Sequence, residues 1–444
     1  MPFVLVKNFK NKFNYIINSF LWVFLISFIF SYLIRLIAFI FFENNIHLPD
    51  SENYIVESVN ILTGNNLYDS FYLICCTVSM PLYSIWLTIP ISFEILFNDQ
   101  ITFDNIFSET TKYLTFFDGD NDFYKNIRLK IFIFDNFLSS AQPFFLYVLS
   151  RLIFRNNYIS FLSCIIYTCY PLSVFYATIT LTENLFSFLL LLGLIFLYSK
   201  RILIASVFFV LSILVRPTFE LAYPIIIVYF SYFYYDKKFI CIIKNLFIFS
   251  LVYTILFIPW WIFNYNRYHQ FVRLHPNFGL LLYAGNNSLN TSGGGIVNKD
   301  FDLAQFDDVR YHNPIVLDKK LTKEALNYIK HNKKKFLKNS FKKFKRFYRI
   351  TPYSESISKS IRYIYTISYL PILILSILSL FYLKRKYFFK LIPIFYLIFW
   401  ITLIHTITFA SVRYRFPIES FMIILSSFYL YGLFTNFILK NIND

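Results

Sequence analysis

The chain has 444 residues, 57% of them hydrophobic and 15% charged, with a formal net charge of +17. A soluble domain carries about 25% charged residues, so the composition excludes an ordinary soluble protein and points to an all-α integral membrane protein. The basic excess sits in short turns between apolar runs and in one stretch at 319–349. No folded basic domain is left for nucleic acid, so no nucleic-acid partner is expected.

Taken in chain order, apolar runs predict spans at about 16–42, 131–154, 158–180, 184–199, 202–216, 218–235, 240–262, 363–383, 388–409 and 416–438, ten in all and eleven at most. A membrane crossing needs roughly 20 apolar residues. The first run is too long for a cleaved signal and is read as a retained span. Lys7, Lys10 and Lys12 precede it. Arg151, Arg155, Lys200, Arg201, Lys237, Lys238, Lys244, Lys384, Arg385, Lys386, Lys390 and Lys440 then fall on one side, which becomes cytoplasmic. Residues 71–97 are apolar enough to cross, but a crossing there would put every later basic turn outside. They are therefore read as a juxtamembrane or re-entrant segment interrupted by Pro81 and Pro90.

Three parts follow. Residues 1–262 form an N-terminal transmembrane module with a long external loop at 43–130 that carries juxtamembrane helices. Residues 263–362 form a small external region, with an amphipathic helix expected from Leu321 to about Arg349. Residues 363–444 hold the last three spans. In the amphipathic stretch apolar residues recur at helical spacing between lysines, a pattern that suits a helix at the membrane surface and equally a helix of a small external domain. The five cysteines have no metal-ligand spacing and read as small buried hydrophobes.

Charged residues recur where apolar runs end, all on the side opposite the basic turns. Asp50 and Glu52 follow the first run, and Tyr54 stands one helical turn beyond Asp50, so the two share a face if this stretch is helical. A carboxylate here can serve as a general base, a metal ligand or a helix cap, and His47, Asp50 and Glu52 are the candidate metal ligands. Glu183 opens an apolar run, where a helix dipole favours an acid and Thr182 can cap. Arg216 precedes Pro217, and Arg413 and Arg415 flank Tyr414 before Pro417. Guanidinium groups at helix starts make a phosphate site. Arg35, inside the first run, is expected to face the bundle and pair with an acid. Glycine-rich phosphate loops, nucleophile elbows and metalloprotease motifs are absent from the sequence.

In order, these motifs resemble the GT-C superfamily of polytopic glycosyltransferases, most closely its bacterial protein mannosyltransferase and aminoarabinose transferase-like branch. The matching residues are Asp50 and Tyr54 with Leu62, Thr63, Gly64 and Tyr68; Pro81, Leu82 and Tyr83; Thr182 and Glu183; Arg216, Pro217 and Thr218; Pro259, Trp260, Asn264 and Tyr265; Gly285, Asn286 and Asn287; and Arg413, Tyr414, Arg415 and Pro417. The resemblance covers about residues 30–425. It departs at Phe263, where relatives commonly carry an arginine, for which Arg267 is the substitute, and in an acidic insertion at about 98–127.

The resemblance implies an inverting glycosyltransferase in a plasma or inner membrane. It would move a sugar from a polyprenyl-phosphate donor to a lipid, polysaccharide or protein acceptor on the external face. Asp50 and Glu183 are implied as catalytic, with Asp50 the base. Arg216, Arg267, Arg413, Arg415, Tyr54, Tyr414 and Asn264 are implied to bind donor phosphate and sugar. No cofactor is required; some relatives take a divalent metal, for which His47, Asp50 and Glu52 are the residues available. The alternative from another class is a polyprenyl-phosphate transporter or flippase without transfer chemistry. Transporters often carry internal repeats and mid-membrane polar sites; this sequence has no repeat, and its polar residues gather at one face.

Overall fold

The computed structural model describes residues 19–42, 49–63, 79–97, 122–234, 239–294, 314–351, 359–383 and 385–443. Among them there is no strand, and nearly every residue is helical. In chain order the helices are α1 (Phe20–Phe42), α2 (Pro49–Thr63), α3 (Pro81–Phe97), α4 (Asp122–Phe154), α5 (Asn157–Cys169), α6 (Pro171–Ala177), α7 (Glu183–Tyr198), α8 (Ile202–Val215), α9 (Ala222–Phe233), α10 (Phe239–Tyr268), α11 (Phe278–Gly285), α12 (Pro314–His331), α13 (Lys333–Phe347), α14 (Lys359–Tyr382), α15 (Arg385–Ile407) and α16 (Phe416–Asn443). Short 3-10 turns at Pro217–Phe219 and Val412–Arg415 enter the gaps after α8 and before α16.

Among the described residues six helices are long and apolar enough to cross a membrane: α1, α4, α10, α14, α15 and α16. The pair α5–α6 makes a seventh if its 55° bend is one broken span. The chain is thus an all-α, multi-pass membrane protein. Helices α7, α8 and α9 are apolar but shorter than a full crossing. Helix α7 is buried on almost every side, so it is the centre of the bundle, and α1 exposes Leu21, Ile29, Ile40 and Phe41. Exposed aliphatic side chains carry no penalty where the surroundings are hydrocarbon.

The α5–α6 break has a local cause. Tyr170 precedes Pro171 and adopts φ −70°, ψ 114°, because the proline ring disfavours helical geometry in the residue before it. Ser173 Oγ lies 2.8 Å from Tyr167 O and 2.9 Å from Tyr170 O, so its hydroxyl adds to the backbone amide bonds these carbonyls already accept at the break. The same Oγ accepts from Arg35 Nη2 at 3.1 Å, and Arg35 Nε donates to Ser139 Oγ at 2.9 Å. Arg35 is fully buried and faces the bundle as expected. The acid expected beside it is replaced by serine hydroxyls.

Two other expectations change. Pro81 opens α3, where a missing amide costs nothing, but Pro90 lies within the helix and does not interrupt it. The single amphipathic helix expected from Leu321 to about Arg349 is two helices, divided at Asn332 (φ −125°, ψ 44°). Helix α11 packs on α12, and Gly285 ends it against the C-terminus of α15. A Cβ at Gly285 would sit 1.7 Å from Thr408 O, so no larger residue fits this approach.

The helix ends sort into two groups. Lys390 Nζ donates to Ile153 O at 3.0 Å and Tyr229 Oη to Phe389 O at 2.6 Å, which gathers the end of α4 and the start of α15 with their basic turns. The starts of α2, α7 and α16 and the ends of α8 and α15 meet at the other end of the bundle.

Candidate functional site

At that second end four charged side chains from four chain segments form one ion-paired chain. Asp50 lies in the first turn of α2, after Pro49. Glu183 is the first residue of α7. Thr182 before it makes no capping bond to the helix; its hydroxyl instead lies 3.5 Å from Glu183 Oε2. Arg216 is extended (φ −150°, ψ 121°) ahead of Pro217, which turns the chain out of α8. Arg413 lies in the 3-10 turn before α16, where Ser411 Oγ accepts from the Arg413 amide at 3.4 Å.

Arg413 joins the group. Its Nε donates to Glu183 Oε1, its Nη2 to Glu183 Oε2 at 3.4 Å, and its Nη1 to Asp50 Oδ2. Arg216 Nη1 lies 3.0 Å from Glu183 Oε1. The Glu183 side chain is fully buried, Arg216 and Arg413 are largely so, and Asp50 is 56% exposed. Two carboxylates meet two guanidinium groups, so the cluster is formally neutral, and Asp50 is the member open to the surroundings.

Rings frame the cluster. Arg216 lies 5.1 Å from the centroid of the Tyr414 ring. His405 stacks on Tyr414, its ring 4.5 Å away and nearly parallel, and Phe347 stacks 5.7 Å from His405. His405 Nδ1 lies 3.1 Å from Phe409 O, which accepts from it. Tyr54 feels the charges of Arg413, Asp50, Arg216 and Glu183. Burial is the largest influence on its hydroxyl and pushes its pKa well above the ordinary value of 10.0. Its ring meets Tyr83 edge-on at 5.1 Å, and Tyr83 Oη donates to Asp135 Oδ2 at 2.8 Å. The sequence reading did not single out His405 or Asp135: each lies within a long apolar run, with no motif around it.

The structure thus brings together Asp50, Tyr54, Glu183, Arg216, Arg413 and Tyr414. Arg415, two residues from Arg413, turns the other way. It is completely buried, donates from Nε to Glu419 Oε1 at 2.6 Å and from Nη1 to Phe347 O at 2.6 Å, also donates to Tyr365 Oη, and lies 3.7 Å from the Tyr369 ring centroid. Tyr170 Oη donates to the second Glu419 oxygen at 2.8 Å. With its nitrogens so engaged, Arg415 ties α14, α16 and the end of α13 together. The expectation that it binds phosphate is not met by its orientation.

Asn264 and Arg267 lie in the last two turns of α10. Asn264 is fully buried, and neither of its side-chain polar atoms has a protein partner. Arg267 lies 5.6 Å from the Tyr268 ring centroid. Nearby, Arg273 pairs with Glu220, and Tyr253 donates to the same carboxylate, which fastens the chain after α10 to the turn after Arg216.

His47 and the side chain of Glu52 lie outside the described residues. Among the described residues no group of three His, Cys, Asp or Glu side chains converges as metal ligands. Asp50, the candidate ligand among the described residues, is paired with Arg413.

No protein-family model, no curated protein and no solved structure matches this chain.

Proposed function

We propose that this protein is a GT-C-like inverting glycosyltransferase that moves a sugar from a polyprenyl-phosphate donor to a hydroxyl or amine acceptor. The observation that carries the reading is the Glu183–Arg413–Asp50 chain with Arg216 beside it, drawn from four segments to one end of the bundle. If the six long helices, the bent pair and the shorter helices α7, α8 and α9 each cross once, and the basic turns are cytoplasmic, this reading has that end on the external face.

Three of the five N–H groups of Arg413 bond to carboxylates at rest, so a lipid phosphate that takes the guanidinium edge competes with one of those carboxylates. Asp50 is the exposed partner and gives way; Glu183 is buried between both arginines and stays. The phosphate then takes the guanidinium edge that Asp50 leaves, with Arg216 as the second donor. Asp50, now unpaired, accepts the acceptor's O–H or N–H. The acceptor lone pair attacks the anomeric carbon on the face opposite the phosphate. The proton passes to Asp50, and the C–O bond to phosphate breaks with its electron pair, leaving polyprenyl phosphate. Charge grows on the departing phosphate, and the fixed guanidinium groups stabilise it most in the transition state. Attack opposite the leaving group inverts the anomeric centre. Tyr54 and Tyr414 wall the sugar, and Asn264 and Arg267 serve the donor side at the end of α10.

Transfer from a panel of radiolabelled polyprenyl-phosphate sugars, with acceptor-containing membrane extract, tests the reading on wild type, Asp50→Asn and Arg413→Lys. Transfer by wild type with loss in both variants supports it. Donor translocation across proteoliposomes without any transfer, unchanged in Asp50→Asn, would replace it with a flippase.

A further inference from the structure

Helix α13 carries eight cations and no acid over 333–347. At about 100° per residue its side chains divide into three stripes. Asn339, Lys343 and Phe347 face the protein and are buried. Leu337, Phe341 and Phe344, at i, i+4 and i+7, form an apolar stripe turned away from it, 67%, 59% and 43% exposed. Lys334, Lys338, Lys342 and Lys345, at i, i+4, i+8 and i+11, form a basic stripe directly beside the apolar one. Lys345 Nζ lies 4.6 Å over the Phe341 ring, bridging the two.

The position of α13 says what lies against these stripes. Lys343 Nζ donates to Ile407 O at 3.0 Å, Arg346 Nε to Ala410 O at 3.0 Å, and Tyr348 Oη meets Thr402 Oγ1 at 2.7 Å. These partners lie in the last turns of α15 and just after its end at Ile407, and α15 is long and apolar enough to cross a membrane. Along α15, Phe399, Leu403 and Ile407 are exposed at i, i+4 and i+8, an apolar stripe that runs up to the level where α13 is docked. The helix therefore lies at the end of a span, where hydrocarbon gives way to headgroups. There an apolar stripe gains by entering the acyl boundary, and a neighbouring basic stripe gains from anionic headgroups. A second copy packed face to face would bring two acid-free basic stripes together, which charge opposes.

We infer that α13 is an anionic-lipid-binding helix: Leu337, Phe341 and Phe344 enter the bilayer surface, and Lys334, Lys338 and Lys345 hold the phosphate groups of acidic phospholipids. The inference does not depend on sugar transfer.

The test uses the full chain in nanodiscs doped with phosphatidylglycerol or phosphatidylcholine carrying a diazirine in the acyl chain, with cross-linked peptides mapped by mass spectrometry. The peptide spanning 337–344 should label at least about three-fold more with the anionic lipid, an excess in keeping with the attraction of lysines to an anionic surface. High salt should shrink that ratio, and Lys334→Gln/Lys338→Gln/Lys345→Gln should bring it to about one. These lysines are exposed, and the wild-type ratio stands without any variant. A wild-type ratio of one, a ratio untouched by the triple substitution, or cross-links from 337–344 to a second copy would overturn the assignment.

Discussion

Asp50 and Glu183 share one arginine yet stand in opposite surroundings, and their substitutions should separate accordingly. Asp50 is the exposed partner, so the loss of its ion pair should cost only about 0–1 kcal/mol of stability. On the proposed reading Asp50→Asn lowers transfer by roughly 10²–10⁴ while the melting temperature hardly moves. Glu183 is fully buried between two guanidinium groups. Glu183→Gln leaves those charges poorly compensated and should destabilise the fold by about 3–5 kcal/mol, read as a lower melting temperature in detergent. Asp50, Glu183, Arg216 and Arg413 were legible in the sequence because each is a charge where an apolar run ends. Arg413 and Arg415 were not separable by that criterion, since they differ by two places in one turn. A usable signal was present: Glu419 stands four residues after Arg415, the spacing of a helical ion pair. It marked Arg415 as spoken for.

Pairing of α2 with α3 positions Asp50 and rests partly on a buried acid. Ser79 and Ser84 hydroxyls both donate to Glu57 Oε2, and burial pushes the Glu57 carboxyl up from 4.5 to about 7. A raised folded pKa means that the neutral form is the one stabilised. This contribution is whole below pH 4.5 and is lost as pH rises through about 7. Wild type should therefore lose melting temperature over that window relative to Glu57→Gln, and equal pH dependence of the two would contradict the assignment. At α11 the close approach of Gly285 to Thr408 O has no side-chain remedy, because the clash is with backbone. Gly285→Ala should destabilise by at least about 1–3 kcal/mol, measured by thermal unfolding. Helix breaks were the least legible elements. Pro171 ends a helix and Pro90 does not, and an asparagine divides α12 from α13 where periodicity runs on unbroken. Proline removes one hydrogen bond in either place; packing around it decides whether the chain bends.

For the whole molecule, apolar runs and basic turns gave the helical class and the separation of two ends, because lipid imposes both constraints on any sequence. The number of crossings was less legible. Helices α7, α8 and α9 are shorter than a full crossing, and a helix buried within a bundle need not match the bilayer as a lipid-facing one must. The proposed topology puts Lys386 and Lys338 on opposite faces of the membrane. Lys338→Cys should react with a membrane-impermeant thiol reagent in intact cells, and Lys386→Cys should react only after permeabilisation; reaction of both from outside would contradict it. The central claim is that Arg413 passes from Asp50 to the donor phosphate, leaving Asp50 as the base. The most direct measurement is donor binding and sugar transfer side by side in Asp50→Asn. The account predicts that the variant binds the polyprenyl-phosphate sugar at least as tightly as wild type, because the competing carboxylate is gone, yet transfers almost nothing. Wild-type transfer by Asp50→Asn, or loss of donor binding along with transfer, would contradict it.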